Sequence, residues 1–304
     1  MVYGKVKCHQ PNSPTASMKT FLALSFACVC SSAIGQTPAA NPMPDGSRDL
    51  YLGVGAASAP DYPGARSRQV TAVPLVQMQW SSGVFISGMS AGMHLSQQPS
   101  VEFGPLLALH PSRDQDGSGR GAGGIIEPVA GFLDPTDAYA TRFSAGAQVG
   151  LMGMDRIGAR LQGGGFFNVY LTPSLRITTN VLYGAGAKRH GLVANVGLQR
   201  VAAQVAANHR LSLGAGVSLA NRSYHATYFG VQFHESVASG YAQYEPGAGV
   251  KDVYLGAGWN WALSPSWMVT SSARVTRLMG DARQSPLVQR PTNLTLTTGI
   301  AYRF

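Results

Sequence analysis

The sequence predicts an all-β fold, a transmembrane antiparallel β-barrel of the bacterial outer-membrane type, and three observations carry that prediction. The first is strict alternation over residues 292–304, where Leu294, Leu296, Thr298, Ile300, Tyr302 and Phe304 fall on one face and Thr295, Thr297, Gly299, Ala301 and Arg303 on the other. The second is composition. Charged residues make up 12% of the chain, half of the ~25% usual for globular domains, yet mean hydropathy is only +0.02, with 37 glycines and 12 tyrosines. The third is the want of any apolar stretch beyond Gly35 long enough for a membrane helix, as expected when apolar and small polar residues alternate and a hydropathy window averages the two faces. An edge strand of a soluble sandwich shows the same alternation. The terminal aromatic and the placement of Tyr302 and Phe304, where an interfacial girdle needs rings, favour the membrane. Such a strand is similar to the terminal assembly strand of outer-membrane barrels, which makes Tyr302 and Phe304 candidate assembly residues.

Ahead of the barrel, Met18 and Lys19 lead into the apolar run from Phe21 to Val29 and then Ser31-Ser32-Ala33-Ile34-Gly35. This is the order of a secretory signal, with cleavage expected between Gly35 and Gln36 and with Met18 as an alternative start. Its apolar core is too short to span a bilayer. A lipid anchor on Cys28 or Cys30 is disfavoured by Phe26 and Val29, which stand where small residues belong. Cys8, Cys28 and Cys30 all precede the cut, so the exported chain is expected to have no disulfide, thiolate nucleophile or thiolate metal ligand. Residues 36–47, QTPAANPMPDGS, are expected to form a periplasmic lead-in, which leaves 48–304 for the barrel. The net charge of +9 falls to +6 once Lys5, Lys7 and Lys19 are removed, and no basic run interleaved with aromatics points to nucleic acid.

Strands are expected at residues 48–58, 69–80, 84–96, 101–110, 139–152, 156–169, 175–186, 192–205, 210–220, 250–263, 267–279 and 292–304. The clearest are late. Leu211, Leu213, Ala215, Val217 and Leu219 oppose Ser212, Gly214, Gly216 and Ser218, and Val253, Leu255, Ala257, Trp259 and Trp261 oppose Asp252, Tyr254, Gly256, Gly258 and Asn260. The face across from the apolar row is therefore rich in Gly, Ser, Asn and Arg, as a water-filled or plugged lumen requires.

Connections of two lengths set the topology. Residues 81–83, 172–174, 207–209 and 264–266 are tight turns, whereas 60–68, 221–249 and 280–291 are longer. Tight turns belong to the periplasmic rim, and counting backwards from a periplasmic Phe304 gives about 12 strands. Residues 111–136 would then form a long periplasmic loop, against the rule for that rim, so ten or fourteen strands stay open.

Chemistry-bearing motifs are sparse. Gly119 to Gly124 matches G-x-G-x-x-G, but it follows Arg113-Asp114-Gln115-Asp116 rather than a strand and opens no helix, so a flexible loop is expected and no cofactor. His94, His110, His190, His209, His225 and His234 are scattered without metal-ligand spacing, so no metal is expected. His225, His234, Ser236 and Asp252 offer the residue types of a serine hydrolase in or beside one long loop, with nothing to fix their geometry, and no catalytic residue is assigned. Arg160, Arg176, Arg274 and Arg303 fall on inner faces, either biasing a lumen toward anions or pairing with carboxylates such as Asp252.

The specific signal is in the loops. Pro60-Asp61-Tyr62-Pro63-Gly64, Tyr228-Phe229-Gly230-Val231, Ser239-Gly240, Tyr244, the run Gly247 to Val253, and Arg277-Leu278-Met279-Gly280-Asp281-Ala282-Arg283-Gln284-Ser285-Pro286-Leu287-Val288 together resemble the MipA/OmpV family from about Leu50 onward. The departure lies between Arg113 and Met152, where the link to Gly153-Met154-Asp155-Arg156-Ile157 is expanded. The resemblance implies an outer-membrane scaffold, not an enzyme, that links a lytic transglycosylase and a peptidoglycan synthase, in contact with outer-membrane lipid. The residues alone leave two other readings, a passive pore or small-solute-binding barrel, and a lipid-acting enzyme. Asp61, Tyr62, Gly64, Tyr228, Phe229, Gly230, Gly280, Asp281, Ser285 and Pro286 are the loop residues that the resemblance singles out.

Overall fold

The computed structural model describes residues 48–96, 98–115, 117–118, 150–184 and 191–304. The signal, its cut at Gly35 and Gln36, the lead-in and the glycine run beyond Ser118 lie outside the described residues. The barrel strands are β1 (Arg48–Pro60), β2 (Arg68–Trp80), β3 (Val84–Ser87), β4 (Ser90–Met93), β5 (Val101–His110), β8 (Arg160–Thr172), β9 (Leu175–Gly184), β10 (Gly191–Ala206), β11 (His209–Ala220), β12 (Gly249–Ala262), β13 (Trp267–Leu278) and β14 (Thr292–Arg303). These twelve close antiparallel in the order β1-β14-β13-β12-β11-β10-β9-β8-β5-β4-β3-β2. Closure removes the edges and satisfies the backbone within the wall, the condition for crossing hydrocarbon with strands. A two-residue pair, β6 (Arg113–Asp114) and β7 (Gly117–Ser118), and three helices, α1 (Arg222–Tyr228), α2 (Phe233–Ser239) and α3 (Gly280–Gln284), lie in the connections.

Twelve strands is the expected count, but the partition differs at two places. The stretch 84–96, expected as one strand, is the hairpin β3/β4, reversed at Gly88 with φ 57. The strand expected at 139–152 is not formed where it can be seen: residues 150–152 are turn, the remainder lies outside the described residues, and β5 pairs directly with β8 from Val101↔Val169 to His110↔Arg160. Proline explains the short hairpin. Gly88 donates its N–H to the Val76 carbonyl at 2.9 Å, so Val76 turns its polar groups toward the hairpin, and Pro74, two residues earlier, points the same way without an N–H to give. Pairing of β2 with β3 accordingly covers only Gln77 to Gln79.

The segment after β5 also changes sides. Residues 111–115 and 150–159 join the same barrel end as 61–67, 221–248 and 279–291, since Arg113 bridges Ile157 and donates to the Tyr228 carbonyl, and a Cβ on Gly117 would lie 2.6 Å from the Asp61 carbonyl oxygen. The expected long loop at the tight-turn end is thereby overturned. The barrel has one loop end, which carries 61–67, 111–115, 150–159, 221–248 and 279–291, and one turn end, closed by 81–83, 94–96 with 98–100, 173–174, 207–208 and 263–266.

Outward positions form an apolar belt: Val54, Val70 and Leu255 are 67%, 69% and 64% exposed, and Leu52, Leu213, Leu296 and Ile300 continue it. A water-facing surface rarely carries a contiguous band of that kind, whereas lipid requires it. No described helix is long and apolar enough to cross a membrane. At the turn end the belt closes on rings, with Trp267 edge-on to Tyr302 at 5.1 Å, Tyr302 edge-on to Phe304 at 4.9 Å, and His209, Trp259 and Trp261 clustered with near-parallel rings. Rings that are apolar in body and polar at the tip fit the membrane boundary.

The inner face is filled by its own side chains. Phe85, Leu106, Phe166 and Leu182 pack together, as do Tyr51, Val73, Leu75 and Ala301. Glu102 accepts from Asn168 Nδ2 at 3.0 Å, Tyr170 Oη at 2.8 Å and Arg176 at 2.9 Å, and Arg176 Nε donates to Gln199 at 2.9 Å, a ladder round four strands of the wall. The carboxylate partner of Arg176 is thus Glu102 rather than Asp252, which accepts from Ser218 Oγ and lies 3.1 Å from Lys251.

Candidate functional site

The loop residues singled out from the sequence converge on a folded cap at the loop end. Asn221 starts α1 by accepting from the Tyr224 N–H at 2.9 Å, and its side chain also accepts from Leu192 N at the top of β10, so the helix is tied to the wall. Tyr228, at the end of α1, meets the end of β5 and the connection after it: its hydroxyl lies 3.1 Å from His110 Nδ1 and its carbonyl accepts from Arg113 at 2.6 Å. Phe229 is buried, and its carbonyl accepts from Ser285 Oγ at 2.6 Å. Gly230 has no room for a side chain, because a Cβ there would sit 2.4 Å from the Ala226 carbonyl oxygen. Val231 and Tyr244 then bridge, and α2 ends at Gly240 in the left-handed region, φ 77.

The first loop closes the same cluster. Tyr62 is buried with Ala65, Leu151, Met154, Val231 and Leu287. Gly64, at φ 97, offers its carbonyl to both Gln289 N and Arg290 N at 2.8 Å. Asp281, in the first turn of α3, accepts from Gly247 N at 2.6 Å while its carbonyl accepts from Tyr244 Oη at 2.8 Å. Gly280 precedes it at φ 46, and Pro286 sits half-buried beside the buried Ser285 and Leu287. Tyr62, Gly64, Tyr228, Phe229, Asp281 and Ser285 thus each tie together segments distant in sequence. Tyr302 and Phe304 lie at the opposite end, in the aromatic girdle, with Arg303 held by Asp49 at 2.8 Å.

The serine-hydrolase set is not assembled. Ser236 Oγ donates to the Tyr241 carbonyl at 2.6 Å, His225 Nδ1 lies 2.7 Å from the Gly247 carbonyl, and Asp252 serves Ser218 inside the wall. Asp155, His234 and Glu235 bring three ligand-type atoms within 4.8 Å of one another. Both Glu235 oxygens, however, already accept backbone N–H groups, from Asp155 at 3.1 Å and Gln232 at 2.8 Å, as a helix N-terminal tie. Sequence reasoning missed His110 and Arg113 as anchors of the cap; nothing in their local pattern distinguishes them, because their partners are 118 and 115 residues away.

Electrostatics follow burial. Tyr62 is pushed up to about 12, first by desolvation and then by Tyr241, so the cap carries a neutral phenol at its centre. His225 is shifted downward by burial, against its bond to Gly247, with Lys251 lowering it further and Asp281 and Asp252 opposing. A base whose folded pKa is depressed stabilises the fold fully above its unfolded value, ~6.5, and that stability is lost as pH falls through the folded pKa. Amide exchange in α1, corrected for intrinsic rate, is therefore expected to be faster at pH 5.5 than at pH 7.5. In His225→Gln the ratio between the two conditions should collapse to near one, and an unchanged ratio would remove His225 as the cause.

Similarity to known proteins covers this architecture from the first strand onward. The sequence profile of the family described as MltA-interacting protein MipA matches residues 52–304. Relatives named MltA-interacting protein in Escherichia coli (strain K12) and Shigella flexneri are each 32% identical over 91 residues, 30% of this chain and 36% of theirs, so the matched stretch spans about a third of those relatives. Among solved structures, the NanC porin superposes with a TM-score of 0.42 at 7% identity, over 85% of this chain and all of that one. An outer membrane channel from Pseudomonas putida F1 superposes with a TM-score of 0.38 at 8% identity, over 90% of this chain and all of that one. Since the profile runs through the barrel wall and every loop of the cap, from Leu52 to Phe304, the chain belongs to the MipA family of outer-membrane barrels.

Proposed function

We propose that this protein is a membrane-fixed scaffold that holds a lytic transglycosylase, and through it a peptidoglycan synthase, at the periplasmic side of the outer membrane. The family match supports a protein-binding role, and one observation in the barrel favours it over a pore: among the described residues the inner wall is packed with its own side chains. Tyr254 lies against Gly197 and Gly216, with the Arg274 guanidinium 3.7 Å from its ring centre, and Glu102, Arg176 and Gln199 interlock lower down. A conducting lumen needs a continuous water path, which such packing narrows.

With murein enzymes in the periplasm, the partner surface is the turn end together with the lead-in 36–47. The three cysteines all precede residue 36, so single cysteines introduced into the exported chain report one position each. Cross-linking to the transglycosylase is expected from Ser82 and Ser266 on tight turns and not from Ser236 in the cap. A cross-link from the cap alone would invert the orientation, and none from any position in correctly assembled barrel would remove the scaffold reading.

A further inference from the structure

On the outer surface of the wall, β1 and β14 part company at the loop end. Their pairing runs from Tyr51↔Arg303 to Ser58↔Leu296 and stops, although both strands continue toward the loops. Arg68 reaches into the splay: its guanidinium donates to the Leu294 carbonyl at 2.8 Å and to Ser58 at 3.1 Å. A cleft of about 640 Å³ results, walled by Pro60, Val275, Leu294 and Leu296 and rimmed by Arg66, Arg68 and Arg290. Arg277 stands on the same outer face, two residues beyond Val275 and opposite Thr292. These four arginines are exposed, and among the described residues none of them has a carboxylate partner. Ser58 and Leu296 also line a second depression of about 470 Å³ that continues down the belt over the small residues Ala56, Ala257, Ser271 and Ala273, with Trp259 on its far side. Ser271 and Thr298 satisfy each other there at 2.8 Å, which leaves the floor without an unpaired hydroxyl from either.

A basic rim thus opens onto an apolar groove that descends through the leaflet at the loop end. From Leu294 to Thr298 the groove follows four residues of strand, roughly 13 Å at the usual rise. We infer that the splayed β1/β14 edge is a binding site for one lipid bearing phosphate groups on its head and several acyl chains, drawn from the leaflet at the loop end. Charge complementarity selects that occupant: guanidinium groups grip phosphate oxygens bidentately, and four whose charge no described carboxylate neutralises suit a head with more than one phosphate. The groove suits a chain for a different reason, since Ala and Ser at outward positions leave a depression between Val70, Leu296 and Trp259 that acyl carbon fills. Arginines merely snorkelling to a membrane boundary give the competing account, and they need neither the splay nor the groove.

The test uses the full exported barrel in neutral detergent, with native mass spectrometry reading retained lipid. Diphosphorylated hexa-acyl lipid A, the same lipid after removal of its phosphates, and inorganic phosphate are added separately. Wild type should keep one diphosphorylated lipid and bind the dephosphorylated form at least tenfold more weakly. The triple variant Arg66→Gln, Arg68→Gln, Arg290→Gln should show a similar tenfold loss, and Ala273→Phe, which fills the groove without changing charge, should also lower retention, while Arg48→Gln at the turn end should not. All variants are first checked for a heat-dependent gel shift, so misfolded barrel is not scored. Equal retention of the phosphorylated and dephosphorylated lipids, equal retention by the triple variant and wild type, or full competition by millimolar inorganic phosphate would each overturn the assignment, the last by reducing it to a phosphate site.

Discussion

Replacing Arg176 with Met is expected to destabilise the barrel by about 3–5 kcal/mol, the range for removing one partner of a buried ion pair. Arg176 is 3% exposed and serves several acceptors at once, among them Glu102 at 2.9 Å, Gln199 at 2.9 Å and Tyr170 Oη at 3.1 Å. Without it the Glu102 carboxylate keeps Asn168 and Tyr170 as donors but loses the cation it pairs with at 2.9 Å, in a wall backed by Phe166 and Leu182 on neighbouring strands. Most of the cost is the uncompensated charge rather than the lost bond, which makes the prediction separable. Removing both charges, Arg176→Met with Glu102→Gln, should restore most of the stability, because well-packed neutral groups often equal or exceed an ion pair in such a site. The midpoint of the transition between folded and heat-denatured gel mobility, read against denaturant, measures both variants. A single variant within 1 kcal/mol of wild type would mean that the ladder is solvated.

The ladder also marks where legibility in the sequence ends. Alternation is a local property, so β11, β12 and β14 stand out from their side chains, and the belt of Leu213, Leu255 and Ile300 follows from the same count. Strand number emerged from twelve periodic stretches, yet two of those stretches were misread for physical reasons. In 84–96 alternation runs through Gly88, and what breaks the strand is a missing donor on the neighbouring strand, Pro74, which no reading of 84–96 contains. In 139–152 apolar and small residues alternate without pairing at their described end, 150–152, since β8 already occupies the flank of β5. The cap was legible as a set of motif residues and not as an assembly. Phe229 with Ser285, Gly64 with Gln289, and Tyr228 with Arg113 are contacts between connections 56, 225 and 115 residues apart, and spacing along one chain carries no information about them.

Gly216→Val is expected to cost about 1–3 kcal/mol or more, the range for forcing extra carbon into a packed interior. Glycine on inner faces reads from sequence as room for water, but in the folded wall it is room for a ring. A Cβ on Gly216 would lie 2.4 Å from Tyr254 Oη and 2.5 Å from the Val196 carbonyl oxygen, and one on Gly197 would lie 2.7 Å from the same hydroxyl. Gly216 pairs with Tyr254 on β12 and with Gly197 on β10, so the tyrosine lies flat along a furrow two strands wide. Arg274 then covers the outer side of that ring, 3.7 Å from its centre, and inward-facing Arg and Tyr stabilise each other as a cation over a π face, worth about 2 kcal/mol when desolvated. Valine at 216 displaces the ring and the cation together, whereas the backbone contact with Val196 is hit whatever the ring does. Two terms of different origin therefore add, and a second substitution separates them. Tyr254→Ala in the Gly216→Val background should recover the part due to the ring and leave the part due to the backbone, giving a coupling of about 0.5–3 kcal/mol between two residues in contact. The same pair tests occupancy of the interior. Tyr254→Ala with Arg274→Ala in an otherwise intact barrel should raise swelling of sugar-loaded liposomes above the low level expected of wild type, and high swelling by wild type itself would put the pore ahead of the scaffold.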